Sequence, residues 1–163
     1  MNLDIGIDDS KLLLLWGVTV TLAWAATAGM GMASLGVKPV MIVWTVLMAL
    51  PLAATTLKYL KDDSNKLFNF WAIFTAFFMI ENIAVQGSLA FYSYFHLWIA
   101  GGIIGFYYTG RKLPPPSDQT YRYGAIASLI GLAVAFYQPL AAPLVALIAQ
   151  GTPLLYDWFT VYR

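Results

Sequence analysis

Between Arg122 and Asp157 the chain carries no charged side chain: the thirty-four residues from Tyr123 to Tyr156 are all neutral. One α-helix of that length would reach about 51 Å, well beyond the ~30 Å hydrocarbon core of a bilayer. The stretch therefore predicts two shorter helices with a turn at Gln138-Pro139, or one broken or re-entrant segment. Either reading needs lipid around it, and the rest of the chain agrees. Hydrophobic residues make up 60% of the 163 positions and charged residues 10%, against roughly 25% charged in a soluble domain. The composition predicts an integral membrane protein with no soluble domain, in one membrane domain over residues 1–163.

A spanning helix needs about 20 mostly apolar residues, and six such runs can be threaded. They cover about 12–34, 40–57, 67–86, 91–110, 121–137 and 140–159. Pro114-Pro115-Pro116 lacks amide hydrogens, so no helix should cross it, and an exposed extended loop is expected there. The expected fold is an all-α polytopic bundle of three helical hairpins. Placing both termini on one side puts Lys11, Lys58, Lys61, Lys66, Arg111, Lys112, Arg122 and Arg163 there and leaves only Lys38 opposite. That asymmetry predicts cytoplasmic termini and a multi-pass protein of the cell membrane. Five spans would move Arg163 across, so charge alone leaves the number open. The acidic Asp4, Asp8 and Asp9 precede the first run where a secretory signal would be basic, so that run reads as a span. The hairpins share a charge layout, but no convincing residue repeat is visible between them.

The inventory excludes several chemistries. With no cysteine there is no thiol redox and no thiolate metal site. One histidine, His96, cannot build a bis-histidine haem or a multi-histidine zinc site. No haem, zinc or iron–sulfur site is expected within one chain, and a net charge of +1 makes no case for nucleic acid.

Packing inside a membrane relies on small residues. Ala25, Gly29 and Ala33 in the first run, Gly101, Gly102 and Gly105 in the fourth, and Gly124, Ser128, Gly131 and Ala135 in the fifth are the candidates. They serve bundle packing or a homo-oligomer contact. Trp16, Trp98, Trp158, Tyr59, Tyr107, Tyr108, Tyr121, Tyr123, Tyr156 and Tyr162 lie mostly near span ends, as an interfacial belt would. Phe70, Phe74, Phe77 and Phe78 share one helical face, either a packing or lipid-facing ridge or a wall for an apolar ligand such as an isoprenoid or quinone.

Polar groups inside spans are costly and mark sites by default. Glu81 is followed by Asn82, and a hairpin midpoint between Ser88 and Leu89 puts Glu81 level with His96. The two could form a clamp, a ligand or proton site, or an acid–base pair. Gln86, Tyr92 and Gln138 should lie toward the same outer side, and Gln150 near mid-membrane. Pro153 should free the carbonyl of Ala149 and kink the last helix. Pro51 should do the same to Leu47. Asp157 reads as an interfacial anchor within reach of Arg122 or Arg163. Three functions follow. The first is a non-enzymatic accessory or scaffold subunit of a larger membrane complex, or a binder of an apolar ligand, with no catalytic residues. The second is a proton- or solute-handling transporter or channel using Glu81, Asn82 and His96. The third is a membrane enzyme on a lipidic substrate.

Overall fold

The computed structural model describes residues 8–32, 36–59, 66–85 and 89–161. Among them are six helices and no strand: α1 Asp9–Met32, α2 Val37–Tyr59, α3 Lys66–Ala84, α4 Leu89–Lys112, α5 Ser117–Tyr137 and α6 Ala142–Val161. Each helix packs on its neighbour in sequence, and α6 returns to α1, so the six close into a ring. Short connections between successive helices make those neighbours antiparallel.

The breaks fall where backbone chemistry puts them. Gln138 precedes Pro139, whose ring disfavours the helical region for the residue before it; its φ of −140° and ψ of 68° end α5. The Gln138 carbonyl then accepts the amides of Ala141 and Ala142 at 2.9 and 3.2 Å, which starts α6. The neutral stretch is therefore two helices. The Pro114–Pro116 segment is exposed and not helical, as expected, but it is a tight turn and not an extended loop, with α4 running to Lys112 and α5 starting at Ser117. In α6 a π turn, Leu147–Gly151, lies just before Pro153, an adjustment that lets a helix run on past a residue with no amide donor. Pro51 is buried within α2, which is helical from Val37 to Tyr59.

Four helices are long and apolar enough to cross a membrane: α1 over Asp9–Gly31, α2, α3 and α6. Two others, α4 and α5, are as long but more polar: α4 carries His96, Tyr107 and Tyr108, and α5 opens on Ser117–Arg122. The outward faces are apolar. Ile42, Val46 and Leu50 on α2, and Ile73, Phe77 and Ile80 on α3, are more than half exposed. Stripes of this kind suit lipid and not water.

The helices are fastened by tryptophan. All six indole N–H groups donate to a side chain on another helix. Trp16 of α1 donates to Thr55 of α2 (3.1 Å), and Trp44 of α2 donates back to Thr27 of α1 (2.8 Å). Trp71 of α3 donates to Thr109 of α4 (3.0 Å), and Trp98 of α4 to Asn82 of α3 (3.3 Å). Between α1 and α6, Trp24 donates to Gln150 (2.9 Å) and Trp158 to Ser10 (3.0 Å). Three helix pairs are thus latched reciprocally.

These latches expose a repeat. In each of α1 to α4 the acceptor follows the tryptophan by eleven residues: Trp16 and Thr27, Trp44 and Thr55, Trp71 and Asn82, Trp98 and Thr109. Eleven residues are close to three helical turns, so both groups share one face. The tryptophans themselves recur at intervals of 28, 27 and 27 residues. The repeating unit is a single helix, not the hairpin that the charge layout suggested.

Two expectations about aromatic and small residues change here. Trp16, Trp98, Tyr59 and Tyr121 are buried, while Tyr107, Tyr123 and Tyr156 keep the exposed positions of a belt. Tyr162 lies outside the described residues. A methyl group added at Gly29 would meet nothing within 4 Å and Ala25 is exposed, so that stripe is not a close contact; Ala33 lies outside the described residues. On α4 the small residues do pack: one methyl at Gly101 would lie 2.7 Å from Phe78, and methyls at Gly102 and Gly105 would collide with the Gln150 amide and the Trp71 ring.

Candidate functional site

Inside the ring lies a cavity of about 410 Å³ to which all six helices contribute. Ligand pockets run from about 300 to 1,000 Å³, so it can hold a small lipid-like molecule. Its wall is a chain of aromatic rings. Trp44 packs on Trp98 at 4.5 Å, Trp98 on Phe78 at 5.3 Å, and Phe78 on Phe74 at 4.8 Å. Trp71 continues to Phe106 at 5.5 Å, and Phe106 to Tyr121 at 5.7 Å. Contacts of this type add about 0.5–1.5 kcal/mol each beyond burial, and each Trp in the chain is also pinned by its N–H. The wall is stiff.

The repeat builds that wall. The four tryptophans of the repeat, Trp16, Trp44, Trp71 and Trp98, line the cavity, and so do the residues four positions later: Val20, Met48, Thr75 and Gly102. These are one turn on along the same face. On α4 the position is glycine, and Gln150 lies against it.

Polar groups punctuate the wall at both ends. Gln150 is buried, accepts from Trp24, and holds its amide nitrogen 3.4 and 3.5 Å from the carbonyls of Trp98 and Ile99. It sits in the π turn, a feature frequent at functional sites. Thr75 of α3 is buried too and adds its hydroxyl group to the lining. At the other end Lys112, Leu113, Pro114 and Ser117 form the mouth. Asp157 is there too, but not as the anticipated interfacial anchor. It is 4% exposed and accepts a short hydrogen bond from Ser117, while Arg122 pairs with Asp118 at 3.6 Å; Arg163 lies outside the described residues. The reason is the α4–α5 turn, which brings Ser117 over the last turns of α6.

The other residues singled out from the sequence are dispersed. Asn82 is buried and serves the Trp98 latch, its Nδ2 without a partner among the described residues. Glu81 is partly buried beside it, with Oε2 enclosed and likewise unpartnered among those residues. His96 packs on Phe136 of α5 at 4.6 Å between ring centroids. The α3–α4 latches centre on Ala90, near the expected midpoint. Gln138 is exposed at the α5–α6 turn, where its backbone acts. Gln86 and the side chain of Tyr92 lie outside the described residues. Of the seven, Gln150 alone lines the cavity among the described residues. The freed carbonyl of Ala149 faces Gly124 of α5. Phe74 and Phe78 line the wall, whereas Phe70 packs at a tilt on Tyr108 and Phe77 points outward.

Comparison with protein-family models, with curated proteins and with solved structures finds no match.

Proposed function

We propose that this chain is a non-enzymatic, multi-pass protein of the cell membrane that binds an apolar, lipid-like molecule, of isoprenoid or quinone type, within its bundle. The observation that carries the reading is the aromatic cavity: about 410 Å³ enclosed by four helices' tryptophans and their neighbours one turn on. Interiors pack to the density of organic crystals, and an apolar void costs about 24 cal/mol per Å³. A space of this size is something packing alone would close. Gln150 and Thr75 supply the few polar atoms that fix a ligand's orientation in such pockets. In this reading all six helices cross the membrane, α4 and α5 being more polar because they pack on each other and line the cavity. Both termini are cytoplasmic, and the cavity mouth opens at that same end. Membrane lipids surround the outer faces, and the accessory-subunit role is compatible with such a ligand.

Four cavity-lining tryptophans make the test direct. Decylubiquinone titrated into the purified protein in mild neutral detergent should quench tryptophan fluorescence saturably. Thr75→Phe, which fills the cavity, should weaken that quenching about tenfold or more with little change in melting temperature, since tenfold is about 1.4 kcal/mol of lost contact. Quenching that never saturates, or that ignores Thr75→Phe, would sink the reading. The topology is checked separately: cysteines at residues 2 and 163 should resist an impermeant thiol reagent in intact cells.

A further inference from the structure

The mouth half of the cavity has a chemistry that an uncharged ligand leaves unused. Asp157 is the one acid lining the cavity among the described residues, and it is almost wholly buried. Ser117 donates to one of its oxygens, and no salt bridge reaches it among those residues. The nearby basic groups are engaged elsewhere. Lys112 lines the mouth as well, but it is exposed to solvent and its ammonium lies 5.6 Å from the centre of the Tyr108 ring, which is not part of the cavity wall. The Arg122 guanidinium is held by Asp118 and the Gly110 carbonyl. One helical turn above Ser117 stands Tyr121, the first ring of the chain that passes through Phe106 to Trp71 and Trp16. A carboxylate at the foot of an aromatic wall is the donor set that recognises an organic cation. The anion supplies charge, and the ring faces supply cation–π attraction, which strengthens when water is excluded.

We propose that the cavity takes a lipophilic monocation, of alkylammonium or aryl-onium type, with its charge between Asp157 and the Tyr121 and Phe106 rings and its apolar body along Trp71 and Trp16. A singly charged cation balances the single carboxylate. A doubly charged one, or an anion, would leave net charge in a low-dielectric site. The proposal rests on the cavity being a ligand site and adds the ligand's charge to that reading.

The experiment compares tetraphenylphosphonium with triphenylphosphine oxide, an uncharged molecule of similar aryl bulk, by tryptophan fluorescence in neutral detergent. The cation should bind at least about tenfold more tightly, the scale of a desolvated cation–π contact together with an ion pair. Asp157→Asn, which keeps an acceptor for Ser117, should remove that preference and leave the neutral compound's affinity unchanged. Unchanged neutral binding also shows that the variant is folded. If Asp157→Asn does not fold, the comparison on the unaltered protein decides alone. Equal binding of the two compounds overturns the cation proposal while the apolar-ligand reading stands. Saturable binding of neither, nor of decylubiquinone, overturns both.

Discussion

The hairpin α1–α2 and the hairpin α3–α4 carry the same reciprocal latch and do different things with it. In each, two tryptophans donate across to acceptors eleven residues beyond the partner's tryptophan. What differs is the filling around the latch. At three, four and seven positions past the tryptophan, α2 has Leu47, Met48 and Pro51, whereas α4 has Gly101, Gly102 and Gly105. The α4 backbone is bare where its counterparts carry side chains, and rings of α3 and the amide of Gln150 settle against it. The bases differ as well. At the foot of the first hairpin Asp9 accepts from Lys58, at 2.5 Å, and from Tyr59. At the same register the second hairpin has Lys112 and Leu113, which line the cavity mouth. The latch fixes the architecture, and the second hairpin departs from the first wherever the cavity needs room or an opening.

The largest effect should come from putting a side chain back. Gly102→Val forces the Gln150 amide from α4 and with it the bond to Trp24. Overpacking costs about 1–3 kcal/mol and an orphaned buried donor about as much again, so a loss of roughly 3 kcal/mol is expected. Thr75→Val, an isosteric change at the same register of α3, should cost less than about 1 kcal/mol. Denaturant or thermal unfolding in detergent measures both. Equal costs would mean that the glycine is not what distinguishes α4.

How much of this was legible beforehand follows from the physics of each feature. Helix positions were, because a membrane's thickness sets the run length and Gln138-Pro139 and the proline run mark breaks by backbone sterics. The single-helix repeat was not, although its signal is present in the tryptophan spacings. Only two positions in about 27 recur, and tryptophans near span ends read as an interfacial belt. Asp157 looked like a surface group because its partner, Ser117, is distant in sequence and comes over α6 only through the α4–α5 turn. A depth for Glu81 and His96 can be expected from counting residues. Their facing cannot be counted, because helix rotation decides it; His96 packs on Phe136.

The latch itself is tested next. Thr55→Val leaves the buried Trp16 N–H without an acceptor, at a cost of about 2 kcal/mol. Trp16→Phe with Thr55→Val should cost less than the two single changes together, since partners in one contact are not additive. Asn82→Leu should behave like Thr55→Val if the two hairpins use one device. Additive effects in either hairpin would break the equivalence.

A smaller effect is expected at the base of the first hairpin. Asp9→Asn weakens the acceptor shared by Lys58 and Tyr59. The Asp9 side chain is 37% exposed and that of Lys58 23%, so solvent screens the pair and about 1 kcal/mol is lost. High salt should shrink that difference in melting temperature.

The smallest effect belongs to Asp8, exposed just ahead of α1. Its carboxylate accepts the backbone N–H of Lys11 at 2.8 Å, a cap on the first turn, and the Lys11 ammonium stands 3.4 Å away. That backbone hydrogen bond, with lesser help from the Lys11 charge, holds the Asp8 carboxyl below its ordinary value of 3.8. A carboxyl depressed in the folded state stabilises the fold above the unfolded value and loses that contribution as pH falls through the lower, folded one. Asp8→Asn keeps a capping oxygen but not the charge. The variant should therefore melt slightly below the unaltered protein at pH 7, and the gap should close as pH drops below about 3.8. The Asp9→Asn difference is a separate, larger quantity, so the two are read side by side. A gap for Asp8→Asn that persists into acid would mean that the cap works through its geometry and not its charge, and among the described residues the electrostatic contact at the first hairpin's base would then be that of Asp9 with Lys58.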